Sequence, residues 1–281
     1  MQFDAHNLAE RRPAMIAAGH WRDRTINDAL DAAAAAYPER PAVVAARLGE
    51  PHARTITYGE LARLADRAAV GLHRLGVRSG DVVAAQLPNW WEFTVTYLAC
   101  ARLGAAMNPL MHIFRERELR FMLGHGEAKV VVTPSVFRGH DHAAMFAALQ
   151  SELPTLEHVV VAGDDGPAGF DALLAGPSWE DEPDASEILG ARPGPDDVTQ
   201  LIYTSGTTGE PKGVMHSSNT LFANIDPYAE RLGLGGDDVV LMASPMAHQT
   251  GFMYGLMMPI ALGCPAVLLD VWDAERAVEL I

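Results

Sequence analysis

One run of hydroxyl-bearing and glycine residues, followed by a lysine, is the stretch of this sequence best suited to chemistry. It extends from Tyr203 to Val214 and reads Tyr-Thr-Ser-Gly-Thr-Thr-Gly-Glu-Pro-Lys-Gly-Val. Glycines let a backbone turn sharply and approach a ligand, and consecutive N–H groups in such a turn bind anions. Lys212 adds a mobile positive charge. The pattern favours a cradle for a polyphosphate, although a plain turn between two strands has a similar composition.

The P-loop, G-x-x-x-x-G-K-[ST], is the nearest general pattern for such a cradle. Gly206 and Lys212 have the separation that the P-loop requires. Pro211, which has no N–H to donate, stands where the second glycine belongs, and Gly213 replaces the hydroxyl residue that binds magnesium. The residues after Lys212 also predict a strand instead of a helix. The stretch is therefore not a Walker A loop.

The same run resembles, nearly residue for residue, the phosphate loop of the adenylate-forming superfamily. That superfamily includes acyl-CoA and aryl-CoA ligases, luciferases and the adenylation domains of peptide synthetases. Residues 57–61, 103–110 and 244–251 resemble three further elements of the family, so the resemblance extends over nearly the whole chain. It implies the N-terminal large domain of such an enzyme, with layered, mostly parallel sheets and flanking helices.

The apolar periodicity independently predicts an α/β fold, because short β-branched strands alternate with amphipathic helices. The first 24 residues are polar and look irregular. Helices are predicted over 26–37, 58–75, 90–103, 115–123, 143–150, 219–231, 250–262 and 273–281. Strands are predicted over 41–45, 55–58, 82–87, 105–109, 129–133, 158–161, 199–203, 239–243 and 266–269.

Composition suggests a division of the chain into parts. We expect a lead segment at 1–24, a first α/β subdomain at 25–195, and a second at 196–281 that holds the phosphate loop at 203–214. A Gly-, Pro- and acid-rich excursion at 163–197, with one or two short helices, is the expected boundary. The resemblance places further family elements beyond Ile281, among them a small C-terminal domain with a lysine used in adenylation. We therefore expect a partial chain with little activity by itself.

The resemblance assigns roles to individual residues. Lys212 is expected to stabilise the negative charge of the leaving pyrophosphate, Thr204 is a candidate Mg²⁺ ligand, and His248 is expected beside the carboxylate of the acid substrate. Asn224, Phe252 and Met253 are candidates for the acyl pocket, although a Met and aromatic stripe is more often core. The residues expected to bind the phosphates of ATP are Thr204, Ser205, Gly206, Thr207, Thr208, Gly209 and Lys212.

Other histidines and the cysteines suggest no chemistry. The run 140–142 (His-Asp-His) is predicted to be a solvated loop, and His216 to belong to the strand after the phosphate loop. Many family members carry a histidine where this chain has Ser218. Cys100 and Cys264 are far apart and predict buried small side chains, without a disulfide framework or a zinc site.

Charge and hydropathy exclude several classes of protein. The net charge of −15, from 36 acidic and 21 basic residues, disfavours a general nucleic-acid surface. The N-terminal residues lack the apolar segment of a signal peptide, and no apolar run reaches membrane-spanning length. Cytoplasmic location is the expectation that follows.

The resemblance implies a two-step reaction with ATP, Mg²⁺ and coenzyme A, acting on a small-molecule carboxylic acid, in a possible homodimer. Residues 17–26 resemble the aliphatic and alicyclic acyl-CoA ligases, such as cyclohexanecarboxylate–CoA ligase, and also the aryl-acid AMP ligases of siderophore synthesis. The latter typically have Asn where this chain has Gln249, and the apolar run 251–254 suits an aliphatic or alicyclic acid. The alternatives are an aryl-acid AMP ligase and a non-catalytic nucleotide- or acyl-binding module.

Overall fold

The computed structural model describes residues 6–204 and 211–280, with the backbone alone at 6–9. Its helices, in chain order, are α1 His6–Ala17, α2 Ile26–Ala36, α3 Tyr58–Arg74, α4 Trp91–Leu103, α5 Glu116–His125, α6 His142–Gln150, α7 Ala185–Gly190, α8 Ser218–Leu232, α9 Met258–Leu262 and α10 Ala274–Leu280. Its strands are β1 Pro41–Ala46, β2 Arg54–Thr57, β3 Val82–Ala85, β4 Ala106–Pro109, β5 Ala128–Pro134, β6 Val136–Phe137, β7 His140–Asp141, β8 His158–Ala162, β9 Val198–Thr204, β10 Lys212–Ser217, β11 Val240–Met242 and β12 Ala266–Leu269.

The larger sheet has the strand order β10-β9-β4-β3-β5-β8. All neighbouring strands in it are parallel except β10, which lies antiparallel to β9 at the edge. The smaller sheet has the order β11-β12-β1-β2, in which only β2 runs antiparallel to its neighbour. The prediction of layered, mostly parallel sheets is therefore confirmed.

Both sheets contain strands from either side of position 195. Strands β9 and β10 extend the sheet that β3, β4, β5 and β8 begin, and β12 pairs with β1. The division of the chain at 195/196 stays a prediction, and it does not coincide with a division between the two sheets.

Helix α4 occupies the core between the two sheets. Each of its residues is buried, and it contacts β1 of the smaller sheet as well as β3 and β4 of the larger one. A helix that is buried on all sides is mostly apolar around its circumference, and the charged side chains it carries need partners. Its one cation, Arg102, is paired with Asp31 at 2.5 Å and with Asp66 at 2.8 Å.

Local signals in the sequence set the helix boundaries. Thr25 caps α2 in a reciprocal box with Asp28, and Ser217 caps α8 in the same way with Thr220. Gly104 ends α4 with φ +72°, a left-handed conformation that favours glycine.

Four segments differ from the sequence-based expectations. Residues 6–17, expected to be irregular, form α1. The excursion at 163–197 contains three short helical pieces instead of one or two, namely a π-helix at Asp171–Ala175, a 3₁₀-helix at Trp179–Asp181 and α7. The helix expected over 250–262 is a π-helix at Gly251–Met257 that continues into α9.

The fourth difference concerns the His-Asp-His run. The prediction of a solvated loop was wrong. His140 and Asp141 form β7, and His142, which is 1% exposed, starts α6. The capping carboxylate of Asp141 accepts a hydrogen bond from Ala144 N at 2.8 Å, which explains why a helix begins here. A capping residue followed by small and apolar residues was the signal in the sequence.

No helix within the described ranges combines the length and the apolar character that a bilayer crossing needs.

Candidate functional site

The two strands that bracket the phosphate loop are in register at its base. Strands β9 and β10 pair antiparallel, with Thr204 directly opposite Lys212. Both side chains are exposed. Ser205, Gly206, Thr207, Thr208 and Gly209 lie outside the described residues. The prediction that the loop connects two strands is confirmed. The register brings the backbones of Thr204 and Lys212 opposite each other at the base of the loop.

A cavity of about 490 Å³ opens beside this base. It lies past the carboxyl ends of β4 and β9, where open parallel sheets bind their ligands, and its volume is in the range of small-molecule sites. Other concavities in the described part, of about 530 and 330 Å³, contain none of the predicted site residues. The residues lining the 490 Å³ cavity are Pro109, Met111, Phe114, Ile202, Tyr203, Thr204, Val214, His216, Ala247, His248 and Gln249.

His248 stands exposed at this cavity, in the segment between β11 and the π-helix. Its backbone N donates to Pro245 O at 2.9 Å, and its Nδ1 accepts from Thr250 N at 3.3 Å. Because Nδ1 is the acceptor, the proton of the neutral imidazole lies on Nε2, which can donate to an oxyanion. The tight turn depends on Gly251, where an added Cβ would lie 2.2 Å from Pro245 O.

Tyr203, which the sequence marks only as part of the loop motif, forms a wall of the cavity. Its hydroxyl lies 2.8 Å from His125 Nδ1, and its ring meets Phe121 edge-to-face. Burial raises the pKa of Tyr203 to about 12, so the phenol stays protonated at neutral pH. Its aromatic character and its position at a strand end were the available signals.

Two further polar residues line the same cavity. His216 lies in β10, as predicted, and burial lowers its pKa below the ordinary value, which favours the neutral ring. Both amide atoms of Gln249 are shielded from solvent and have no hydrogen-bond partner among the described residues. A buried amide without a partner is costly, so a polar ligand group in the cavity would favour a rotation of the side chain that pairs the amide with it.

The three pocket candidates Asn224, Phe252 and Met253 do not line the cavity. Phe252 is fully buried in the core, and Met253 is half-buried against the same core. Asn224 is exposed on α8, where its Oδ1 accepts from Tyr254 Oη at 2.6 Å. The structure thus brings together Thr204, Lys212 and His248, while a substrate role for the other three stays a prediction.

Among the described residues, no group of three or more His, Cys, Asp or Glu side chains is placed to hold a metal ion. The Thr204 hydroxyl is a hard oxygen donor of the kind Mg²⁺ prefers. It fits an ion whose remaining ligands are chiefly phosphate oxygens and water.

Comparison with known sequences gives a consistent assignment. The family model described as AMP-binding enzyme matches residues 30–281. The medium-chain fatty-acid–CoA ligase of Escherichia coli strain K12 is 34% identical over 97% of this chain and 47% of its own length. The salicyl-AMP ligase/salicyl-S-ArCP synthetase of Mycobacterium tuberculosis is also 34% identical, over 97% and 47% respectively. The chain thus spans about half the length of these curated relatives.

Solved structures agree with the sequence relatives. The apo structure of MbtA from Mycobacterium smegmatis superposes with a TM-score of 0.78 at 33% identity, covering 97% of this chain and 49% of that one. A long-chain-fatty-acid–CoA ligase from Archaeoglobus fulgidus superposes with a TM-score of 0.80 at 26% identity, covering 93% and 50%. With a family model that matches most of the chain and these similarities in sequence and fold, the protein belongs to the AMP-binding enzyme family.

Proposed function

We propose that this protein takes part in the ATP-dependent activation of a carboxylic acid. The carboxylate attacks the α-phosphorus of ATP, which forms an acyl-adenylate and releases pyrophosphate. The thiol of coenzyme A then attacks the acyl carbon and displaces AMP. The observation that carries the proposal is the position of His248 on the same cavity as Thr204, with Lys212 paired opposite Thr204.

Each of these residues has a role that its chemistry permits. Lys212 supplies a positive charge next to the pyrophosphate, where negative charge accumulates as the P–O bond breaks. His248 donates from Nε2 to an oxygen of the carboxylate or of the adenylate and orients it for attack. Mg²⁺, when bound with Thr204 as one ligand, would neutralise phosphate charge. The apolar walls of the cavity exclude water from the acyl group.

For the acid, we propose an aliphatic, alicyclic or medium-chain substrate. Met111, Phe114, Ile202 and Val214 present hydrocarbon surface along the cavity, and a cavity of this kind binds an apolar group by removing it from water. The relative from Escherichia coli is named for medium-chain fatty acids, which supports this class.

An aryl acid with a hydroxyl substituent is the second candidate. Gln249 lines the cavity, and its buried, unpartnered amide could pair with such a hydroxyl after a rotation of the side chain. A relative named for salicyl transfer has the same sequence identity as the medium-chain ligase. Gln249→Leu separates the two candidates, because it removes the amide while keeping an apolar wall: salicylate binding should fall, and octanoate binding should be unchanged.

The test measures binding and turnover separately, since the chain spans about half the length of its relatives. Acid-dependent ATP–pyrophosphate exchange with octanoate, cyclohexanecarboxylate, benzoate and salicylate measures adenylation. Calorimetric titration with the sulfamoyl analogue of octanoyl-adenylate measures binding without chemistry. Exchange with an acid supports the proposal over a binding module. Binding of the analogue without exchange supports an acyl-adenylate site, which both alternatives share, and neither binding nor exchange contradicts both.

His248→Ala provides the matched test of the site. A hydrogen bond to a charged group contributes about 1.5–3 kcal/mol, so octanoate affinity should fall roughly ten- to hundredfold. His158→Ala, at a partly exposed histidine on β8, is the control and should leave the affinity unchanged. Equal affinities for the His248→Ala and wild-type proteins would remove His248 from the proposal.

A further inference from the structure

Two walls of the cavity are held by one short segment that does not line it. This segment, 86–89 (Gln-Leu-Pro-Asn), leaves the carboxyl end of β3 and leads to α4. We propose that the side-chain amides of Gln86 and Asn89 are positioning groups that together fix the width of the cavity and thereby the size of acid it accepts. The proposal rests on the function proposed above.

Gln86 holds the first wall. Its side chain is fully buried, and its Nε2 donates to Met111 O at 2.9 Å and to Phe114 O at 3.1 Å. Both of these residues line the cavity. The Gln86 Oε1 lies 2.9 Å from Nδ1 of the buried His142. Because Oε1 can only accept, His142 donates from Nδ1 and keeps the amide in the orientation that serves the two carbonyls.

Asn89 holds the second wall. Its side chain is 3% exposed, and its Oδ1 accepts from Met246 N at 2.7 Å. Its Nδ2 donates to Ser244 O at 2.9 Å and lies 3.4 Å from Met242 O. These backbone atoms belong to the segment that runs from the end of β11 directly into Ala247 and His248, both at the cavity.

The chemistry of the segment explains why amides stand at both ends of it. Each amide donates through its nitrogen to two backbone carbonyls and accepts through its oxygen, so it satisfies several buried groups without adding a charge. An isosteric carboxylate would turn an oxygen toward those carbonyls. Pro88 stiffens the link between the two amides because its φ is fixed. Both walls are therefore attached to the same short segment after β3, so that a shift of one wall is transmitted to the other.

A size preference then depends on residues that do not line the cavity. One methylene more or less in a fitted apolar pocket changes discrimination by roughly 10- to 200-fold. Loosening either wall should let longer or branched acids enter and should weaken the advantage of the best-fitting acid. The affinity for ATP should stay the same, because the β9–β10 pairing holds Thr204 and Lys212 at the base of the loop.

The test compares Gln86→Glu and Asn89→Asp with Asn27→Asp. Asn27 is a matched control: it is 1% exposed and donates to Ala101 O at 2.8 Å near the far end of α4, away from the cavity. Calorimetry gives dissociation constants for unbranched acids from butanoate to dodecanoate and for ATP. The ratio between the best acid and the acid two methylenes longer is the readout, because a general loss of stability does not change it.

We expect Gln86→Glu and Asn89→Asp to change this ratio about tenfold while ATP affinity stays within twofold, and Asn27→Asp to leave both unchanged. If either carboxylate variant does not fold, Gln86→Met or Asn89→Leu removes the same hydrogen bonds without a charge. Wild-type ratios in the Gln86 and Asn89 variants would overturn this inference alone. Failure of the wild-type protein to bind any acid would overturn the proposed function, and this inference with it.

Discussion

The ring of Phe252 packs edge-to-face against the ring of Tyr97, with their centroids 4.6 Å apart. Phe93 meets Phe252 in the same manner at 6.3 Å, and all three rings are fully buried. The cluster joins the π-helix that follows His248 to α4 in the centre of the molecule. Its position makes Phe252 a structural support of the site and not a wall of the cavity.

Phe252→Ala should therefore act mainly on stability. Removal of a buried phenylalanine ring costs about 3–5 kcal/mol through lost burial and an unfilled cavity, and the edge-to-face contacts add to this. Urea unfolding followed by far-UV circular dichroism measures the loss. Phe252→Leu keeps most of the volume and should cost less. If Phe252→Leu retained wild-type stability but changed the acid preference, Phe252 would be a substrate contact after all.

Lys212→Ala should weaken nucleotide binding without unfolding the protein. The chain contains two lysines, Lys129 and Lys212. Lys212 is exposed at the loop base, and loss of a charge-assisted contact of about 1.5–3 kcal/mol predicts roughly a tenfold or greater rise in the ATP dissociation constant. The difference in ATP affinity between the wild type and Lys212→Ala should be smaller at high salt than at low salt, because salt screens exposed charges.

Lys129→Ala is the matched control for this variant. Lys129 donates to Gly76 O at 2.7 Å and approaches Asp81 at 3.3 Å, so its loss should lower stability and leave ATP affinity unchanged. An amine-reactive acyl-phosphate derivative of ATP should likewise label Lys212 and not Lys129. Equal labelling of the two lysines would contradict a phosphate site beside Lys212.

Local patterns in the sequence predicted much of this fold. The strands on each side of the phosphate loop, the cap at Thr25 and the placement of His248 after a strand follow from nearby residues, whose turn and capping chemistry acts over a few positions. These are the features on which the resemblance to the family also depended.

Features that depend on distant partners could not be predicted in this way. Gln86 meets Met111, Phe114 and His142 only in the folded protein, and nothing adjacent in sequence marks the pairing. The direction of the Phe252 side chain could not be predicted either. The pattern indicated an α-helix, whereas this segment is a π-helix, which has more residues per turn. A change of winding rotates each side chain to a new direction.

The burial of His142 should make stability depend on pH. Burial, with the nearby positive charge of His140, Arg115 and His112 next in importance, lowers its pKa from 6.5 to about 4. The unfolded chain thus binds a proton at higher pH than the folded one. The stabilisation is complete above pH 6.5 and is lost as the pH falls toward 4, by up to roughly 3 kcal/mol at 1.4 kcal/mol per pH unit.

His142→Gln tests this contribution, because glutamine can still donate to Gln86 Oε1 and does not titrate. Free energies of unfolding measured in urea should fall less steeply for the variant between pH 7.5 and 4.5. The difference in slope should correspond to the uptake of about one proton fewer on unfolding. His216, whose pKa burial also lowers, is not among the groups that shift the pKa of His142, and it contributes equally to both proteins. Parallel curves for the two proteins would contradict the assignment to His142.

Gln200→Met should stabilise the protein, in contrast to Gln86→Met. Gln200 lies in β9 opposite Met107, is fully buried, and neither of its amide atoms has a hydrogen-bond partner among the described residues. A buried polar group without a partner costs about 1–3 kcal/mol, and methionine has nearly the same shape without the polar atoms. Gln86→Met has the same change of shape but removes three hydrogen bonds, so it should destabilise. Urea unfolding should show a higher free energy of unfolding than the wild type for Gln200→Met and a lower one for Gln86→Met. Similar losses for both variants would mean that the Gln200 amide is paired, for example by ordered water.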